Sequence, residues 1–263
     1  MSGAPGELAG LARRAADDGA KLLVVVGGDG SVHEVVNGVA QREGIEIAAI
    51  PRGTGWDFAR SLGLPGRLDD ALRVARSGKT RTIDLGRATY HAWGGGEGSS
   101  WFANVGSVGM SGAIAQRANV TTKALGGKVS YVWATFAVFA QWSSSEVELT
   151  VDGESRRARM HDVIVANGPS IAGGMKLCPD AQPDDGVFDV LSIGDLTKGD
   201  LLLTLPKTFR GSHLPHPKAE LLRGSRVTVD APEPLPVELD GEQPGTTPVR
   251  FELVPNALRV KVP

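Results

Sequence analysis

The stretch KLLVVVGGDGSVHEVVNGV, residues 21–39, constrains this chain more than any other. Lys21 to Val26 reads as a buried strand. After Gly27, Gly28, Asp29 and Gly30 the period changes, and Val32, Val35, Val36 and Val39 recur at the i, i+3, i+4, i+7 spacing of a helix face. Strand, glycine loop and helix in that order are the opening of a parallel α/β unit. Ligands in such sheets bind outside the carboxyl ends of the strands, where this loop falls.

The flanks continue the pattern. Leu8, Leu11, Ala12, Ala15 and Ala16 predict a preceding helix that stops at Gly19. IEIAAI, residues 45–50, runs into a second glycine loop, PRGTG, after which Phe58 to Leu62 resumes a helical pattern ending at Gly63 and Pro65. A further helix is expected from Leu68 to Arg76, stopping near Gly78. Strands alternating with helices predict a parallel sheet with right-handed crossovers.

Beyond TIDLG the texture changes to alternating strands bounded by Gly, Pro, Asn or Asp: EVELTVDGE, DVIVANG, VFDVLSIGD, RVTVDA, PVELDGE, RFELVP and LRVKVP. That half predicts an antiparallel β-sandwich. The fold class expected is therefore α/β plus all-β, with a parallel α/β nucleotide-binding domain over residues 1–88, a β-sandwich substrate domain over 89–263, and a cleft between them. GGGEGSS, residues 94–100, serves equally as a linker or a hairpin loop. GKVSYVWATFAVFAQWSSS, residues 127–145, is apolar nearly all round and is expected to be a buried helix, or else a wall for an acyl chain.

Composition removes several classes. A formal net charge of −2 gives no basic face of the kind nucleic acid requires. Cys178 is the one cysteine, so no intramolecular disulfide forms and a reducing, cytoplasmic compartment is expected, with Cys178 a buried hydrophobe. No run reaches the roughly 20 apolar residues of a membrane span, and the N-terminus lacks a signal-peptide pattern. His213 and His216 have no third ligand at a zinc spacing.

Glycines at a strand end let backbone N–H groups approach an anion, and the following helix presents its positive end to it. Such a loop suits phosphates. Asp29 would repel them alone, so a divalent cation bridging it to the phosphates explains the carboxylate; capping of the helix that starts near Ser31 is the other explanation. Gly53, Thr54 and Gly55 form the second loop, with Asp57 at the next helix start. Asp84 ends a third strand-like run and is either a further member of this group or a turn residue. LDGE, Asp240 to Glu242, has the composition of a hairpin turn, and VDGE, Asp152 to Glu154, repeats it elsewhere. Spacing alone does not separate the two copies.

Together these segments resemble the diacylglycerol kinase catalytic-domain family of lipid kinases, the bacterial members above all, whose relatives include sphingosine and ceramide kinases. VVVGGDGSVHEVVNG is similar to the family's GGDGT loop with Ser31 in the Thr position, and IPRGTGWDFAR to its P-x-GTGNDFAR loop. WFANVGSVGMSG, VIVANGPSIAGGMKLCPDAQPDDGVFDV and PVELDGEQPG follow in the family's order.

The resemblance implies a kinase that takes ATP and Mg2+ and phosphorylates the hydroxyl of diacylglycerol or a related lipid alcohol. It implies that Gly27, Gly28, Asp29, Gly30, Ser31, Val32, His33, Gly53, Thr54 and Gly55 contact the nucleotide. Asp29, Asp57 and Asp84 match the family's Mg2+ and water network, and Gln182, Asp185 and Val187 the positions that bind a structural Mg2+. Asp240 and Glu242 match the DGE that supplies the base, with Glu242 the favoured proton acceptor and Asp240 tied to the metal network.

A peripheral contact at the inner membrane face follows if the substrate is a lipid. TFRGSHLPHPKAELLRG, residues 208–224, is the one modest basic cluster and reads otherwise as a solvated loop. Two departures stand out. Trp56 replaces the family's Asn beside the second loop, and this sequence starts after the strand and Asn-Pro-x-Ser-Gly loop with which family members begin. The second predicts an uncovered apolar sheet edge, with self-association, a homodimer for example, or weak ATP binding. NAD kinases share GGDG, which makes a soluble-substrate kinase the first alternative. A non-catalytic lipid- or nucleotide-binding protein is the second.

Overall fold

The computed structural model describes residues 6–53, 55–125, 137–139 and 141–263. Thr54 and most of the apolar segment 127–145 lie outside the described residues.

After helix α1 (Glu7–Asp17), strand β1 (Leu22–Gly27) pairs in parallel with β2 (Glu46–Pro51), Leu22 opposite Glu46 through Gly27 opposite Pro51. Helix α2 (Asp29–Val39) makes the crossover. Its Val32, Val35, Val36 and Val39 are all buried, as the spacing requires. Helices α3 (Asp57–Ser61) and α4 (Leu68–Ser77) follow, then the long strand β3 (Lys79–Ala92). The third strand of the parallel unit comes from the far end of the chain: β14 (Glu242–Val262) places Val260 opposite Ile47 in parallel.

β14 also runs antiparallel to β3, from Val262 opposite Lys79 to Gly245 opposite Ala92. These two strands carry one continuous sheet from the α/β part into the antiparallel part. The register shifts between Val254 and Leu258, where Asn256 has φ 53° and donates its N–H to Asp84. Asp84 therefore holds the bulge at which β14 changes partners.

The antiparallel part comprises β4 (Glu97–Phe102), β5 (Val105–Gly109), β6 (Ser145–Val151), β7 (Glu154–Ala166), β10 (Phe188–Gly194), β11 (Ala219–Gly224), β12 (Arg226–Asp230) and β13 (Pro236–Leu239), while β8 (Ser170–Ile171) and β9 (Met175–Lys176) form a separate small hairpin. Helix α5 (Met110–Leu125) follows β5, and α6 (Lys198–Thr208) follows β10. RFELVP and LRVKVP, which read as two strands, are one. GGGEGSS is a hairpin turn, closed by the Ala92 N–H to Gly96 carbonyl bond.

Among the described residues three apolar clusters fill the interior. In the sandwich Phe102 stacks on Phe188 at 5.7 Å and meets Phe251 edge-on at 5.8 Å. Gly86 lies opposite Phe102, and a Cβ there would enter the Phe102 ring. Each such buried side chain contributes about 1.5–3 kcal/mol. β1 departs from the expected buried strand. It is an edge strand with one covered face: Val25 is buried, whereas Val24 is 50% and Val26 62% exposed. A continuous apolar run reads the same whether one face or two are covered.

Candidate active site

Both glycine loops sit at the carboxyl ends of parallel strands, and the structure fastens them together. The Asp29 carboxylate does not cap its own helix. It accepts the N–H groups of Asp57 at 3.2 Å and Phe58 at 3.0 Å, across the gap between the loops. Gly28 and Gly53 meet backbone to backbone, where a Cβ on Gly53 would lie 3.2 Å from the Gly28 Cα. A Cβ on Gly55 would lie 2.6 Å from the Asp29 carboxylate. Burial pushes the Asp29 carboxyl above the ordinary carboxylate value, against its two N–H bonds, and Asp57 and Asp240 add to the rise. Asp57, itself buried, accepts from Arg60 at 3.0 Å and from the Gly173 N–H at 2.7 Å, which ties α3 to the β8–β9 hairpin.

The DGE turn closes onto these loops. Asp240 has φ 50°, the left-handed geometry of a tight turn, and its carboxylate accepts three consecutive N–H groups: Ala103 at 2.7 Å, Asn104 at 3.0 Å and Val105 at 3.0 Å. Its charge is thus held by backbone dipoles. His33 Nδ1 lies 3.6 Å from Asp240. Burial opposes the His33 proton, but Asp240, with Glu242 and Glu238 beyond, raises the imidazole above its ordinary value. Glu242 is exposed and leans over the first loop, its Oε1 3.3 Å from where a Cβ on Gly30 would be.

Two further carboxyl groups lie in the same region, and reading the sequence did not single them out. Glu238, in β13, accepts from the Ser107 hydroxyl at 2.6 Å and from the Gly241 N–H, and burial pushes it up to about 7. Asp162, in β7, accepts the N–H of Ser111 at 3.0 Å and the Ser111 hydroxyl at the start of α5; burial pushes it up to about 8, and Glu238 adds to the rise. Glu238 sits between Val237 and Leu239, and Asp162 heads the apolar end of β7, Val163 to Ala166. The signal available is faint: in VELDGE, Val237 and Leu239 alternate with Glu238 and send it to the other face, and in HDVIVANG Asp162 stands at the head of an apolar run.

One cavity of about 740 Å3 joins the two glycine loops with Asp29, Asp57, Asp162, Glu238, Asp240 and Glu242. At one end it is lined by Gly28, Asp29, Gly30, Gly53, Asp240 and Glu242. At the other, Met110, Ile114, Phe139, Leu201, Leu205 and Phe209 make an apolar chamber, with Asp162 and Glu238 also on its lining. Phosphate-sized cradle, carboxylates and apolar chamber therefore form one continuous space.

Comparison with known proteins follows the same division. Residues 2–88 match the diacylglycerol kinase catalytic domain profile, and residues 104–262 match the YegS C-terminal NAD kinase beta sandwich-like domain. The chain belongs to the diacylglycerol kinase family. The diacylglycerol kinase of Staphylococcus carnosus is 28% identical over 252 residues, 95% of this chain and 79% of that one. That of Staphylococcus epidermidis is 27% identical over 91% of this chain and 73% of its own. Among solved structures, a diacylglycerol kinase from Bacillus anthracis superposes with a TM-score of 0.75 at 21% identity, covering 100% of this chain and 83% of that one. A yeast NADH kinase shares the fold more distantly, with a TM-score of 0.55 at 12% identity over 93% of this chain and 62% of its own. The protein is a kinase that transfers a phosphoryl group to an alcohol, of the lipid kinase type.

Within this diacylglycerol kinase fold the residues expected at the site divide into two groups. Gly28, Asp29, Gly30, Val32, Gly53, Gly55, Asp57, Asp240 and Glu242 line the cavity. Gly27 and Ser31 sit just behind, the Ser31 hydroxyl against the Gly27 Cα, and His33 stands behind Asp240. Asp84 is elsewhere: its oxygens accept Asn256 at 2.8 Å and Gly186 at 2.9 Å, at the bulge in β14. Asp185 pairs with Arg223, which also holds Asp189 at 3.1 Å, and accepts the Val187 N–H at 3.3 Å, and Gln182 is exposed beside it. The Trp56 ring packs on Gly66, off the cavity lining. Cys178 is buried and its thiol pushed up by that burial. Asp152 has a turn geometry similar to that of Asp240, φ 47°, and accepts from Ser225 and Arg226 at an exposed corner, off the cavity lining.

Proposed function

We propose that the chain transfers the γ-phosphoryl group of ATP, bound with Mg2+, to the hydroxyl of diacylglycerol or a closely related lipid alcohol. The observation that carries this reading is the single cavity running from the glycine loops, past Asp240 and Glu242, into an apolar chamber. Phosphoryl transfer needs alignment and charge neutralisation more than covalent chemistry from the protein. The backbone of Gly28, Gly30 and Gly53 aligns the phosphates. Glu242 takes the acceptor's proton as its oxygen bonds to the γ-phosphorus and the bond to the β-phosphate oxygen breaks. Asp240, fixed by three N–H groups, positions Glu242 and His33.

Among the described residues no three His, Cys, Asp or Glu side chains converge as a metal cage. The unmatched burial of Asp29 fits a Mg2+ that arrives on phosphates and retains water, touching one or two carboxylates. Asp29 and Asp57 would face it, and its contribution when bound is neutralisation of charge on the phosphates. At the Asp185 position one guanidinium, Arg223, is shared by Asp185 and Asp189, and no step of the transfer is routed through a second cation there.

A soluble polyanionic acceptor such as NAD meets an unfavourable lining. Beyond the phosphate cradle it would face mostly aliphatic and aromatic side chains, and Arg60, the arginine of the lining, is already paired with Asp57. A lipid acceptor brings the protein to a bilayer surface. No helix among the described residues is long and apolar enough to cross a membrane. Leu202 and Leu203 on α6 and Phe209 just after it are 53%, 71% and 52% exposed, and Phe209 also lines the cavity. Residues 202–218 carry Lys207, Arg210 and Lys218 with no carboxylate, which supports peripheral contact with anionic lipid. The exposed β1 edge with Val24 and Val26 supports self-association, which sedimentation velocity reads directly, a monomer at all concentrations refuting it.

The experiment is transfer of labelled γ-phosphate from ATP and Mg2+ to a panel of lipid alcohols in mixed micelles, with NAD as the soluble acceptor. Labelled lipid with no labelled NADP supports the reading. Labelled NADP alone refutes it.

A further inference from the structure

The DGE turn joins a fixed residue to an exposed one. Asp240 is held through its carboxylate by the N–H groups of Ala103, Asn104 and Val105, and its own N–H donates to the Val105 carbonyl at 2.9 Å. Glu242 follows across Gly241, and glycine has the most permissive backbone of any residue. Asp240 at φ 50° and Gly241 at φ 94° make a type I′ turn. A half-rotation of the peptide between them gives the II′ form and reverses the Gly241 N–H. A bond opposes that rotation. The Gly241 N–H donates to the Glu238 carboxylate, whose other oxygen accepts the Ser107 hydroxyl of β5 at 2.6 Å. Glu238 is 3% exposed and stands opposite Ser107, at the point where the β13–β14 register shifts.

A second turn in the same chain serves as a control. Asp152 and Gly153, at φ 47° and 96°, repeat the turn and are followed by the same glutamate, yet the residue two places ahead is Thr150, bonded to Ser155. An Asp-Gly turn therefore closes without a buried acid two places ahead of it. Such an acid weakens the fold, since burial lifts Glu238 to about 7. A destabilising group at one of two like turns calls for a task that the other turn lacks, and only this turn carries Glu242 into the cavity.

We infer that Glu238 is a positioning residue for phosphoryl transfer: by holding the Gly241 N–H it fixes the peptide that aims Glu242 over Gly30. The inference rests on Glu242 as the base of the proposed lipid kinase. Glu238 acts as a hydrogen-bond acceptor of fixed position, so an amide of the same shape replaces it, accepting from Gly241 and donating to the Ser107 oxygen. Leucine fills the space without that bond.

The test is single-turnover transfer of labelled γ-phosphate from ATP and Mg2+ to dioctanoylglycerol by wild type, Glu238→Gln, Glu238→Leu, Glu242→Gln and the Glu238→Leu, Glu242→Gln double variant. Glu238→Leu is expected to slow transfer at least about tenfold, with half-saturating ATP and lipid within about twofold of wild type, the mark of an interaction used in the transition state alone. Glu238→Gln is expected to stay within about threefold of wild type. On the Glu242→Gln background Glu238→Leu is expected to cost nothing further, because the group it aims is gone. Equal losses on the two backgrounds, an unchanged Leu variant, or a Gln variant as slow as the Leu variant overturns the positioning role and leaves the lipid kinase reading standing. No transfer by the wild type overturns both. Amide hydrogen exchange reads the bond without substitution: the Gly241 N–H is expected to exchange at least about tenfold more slowly than that of Gly153. Equal exchange overturns the inference, even where the Leu variant does not fold.

Discussion

Replacement of Asp162 by Asn should change how the stability of this protein depends on pH. The carboxyl is shifted from an ordinary 3.8 to about 8 by burial, so the native state holds a proton that the unfolded chain has released throughout the neutral range. A carboxyl raised in this way costs nothing below its unfolded value. Its penalty then grows as pH rises, and levels off above the folded value. The slope is about 1.4 kcal/mol per pH unit, so from pH 5 to pH 8 the wild-type protein loses on the order of 4 kcal/mol through this group. Asparagine keeps an acceptor for the Ser111 N–H and hydroxyl, and has no proton to release.

Urea unfolding of both proteins across pH 4 to 8.5 reads the difference. The variant is expected to match the wild type near pH 4 and to exceed it by roughly 5 kcal/mol at pH 8. Glu238, shifted to about 7, weakens the fold in the same direction but is present in both proteins. A difference that stays constant with pH, or that favours the wild type as pH rises, would refute the claim that Asp162 is held neutral by burial.

Three further outcomes follow from the site. Gly30→Ala places a methyl 3.3 Å from Glu242 Oε1, and should lower kcat at least about tenfold with a melting temperature within a few degrees of wild type; unchanged turnover would show that Glu242 does not work above this loop. Asp29→Ala strips acceptors from the Asp57 and Phe58 N–H groups, so thermal melts should show a loss of about 1–2 kcal/mol, with nucleotide binding by calorimetry abolished. Leu203→Glu with Phe209→Glu should release the protein from anionic vesicles in a sedimentation assay, whereas release by changes at β1 alone would place the membrane contact elsewhere.

The glycine loops were legible because their function is written in backbone. Gly28 and Gly53 must pack without side chains, and only glycine at a strand end serves that need. What Asp29 does was less legible. Capping was the right chemistry assigned to the wrong helix, since its partners lie 28 and 29 residues away in sequence. Local pattern likewise could not separate Asp152 from Asp240: both turns have the same geometry, and the difference lies in what surrounds them. Asp162 and Glu238 were hidden because strand alternation assigns a polar residue to solvent, and here the second face of the strand looks into a cavity. β1 was overread for the converse reason, an apolar face that the described residues leave open. β14 could not be seen as one strand because its bulge at Asn256 is held by Asp84, a contact across 172 residues.

The central claim is that the groove between the glycine loops and the DGE turn is a lipid kinase active site with Glu242 as its base. Its most direct test is single-turnover transfer of labelled γ-phosphate from ATP and Mg2+ to dioctanoylglycerol, comparing wild type with Glu242→Gln at saturating nucleotide. The amide fills the same space but takes no proton, so transfer should fall by about 10²-fold or more while ATP binding is retained. Equal transfer by the two proteins, or none by the wild type, would contradict it.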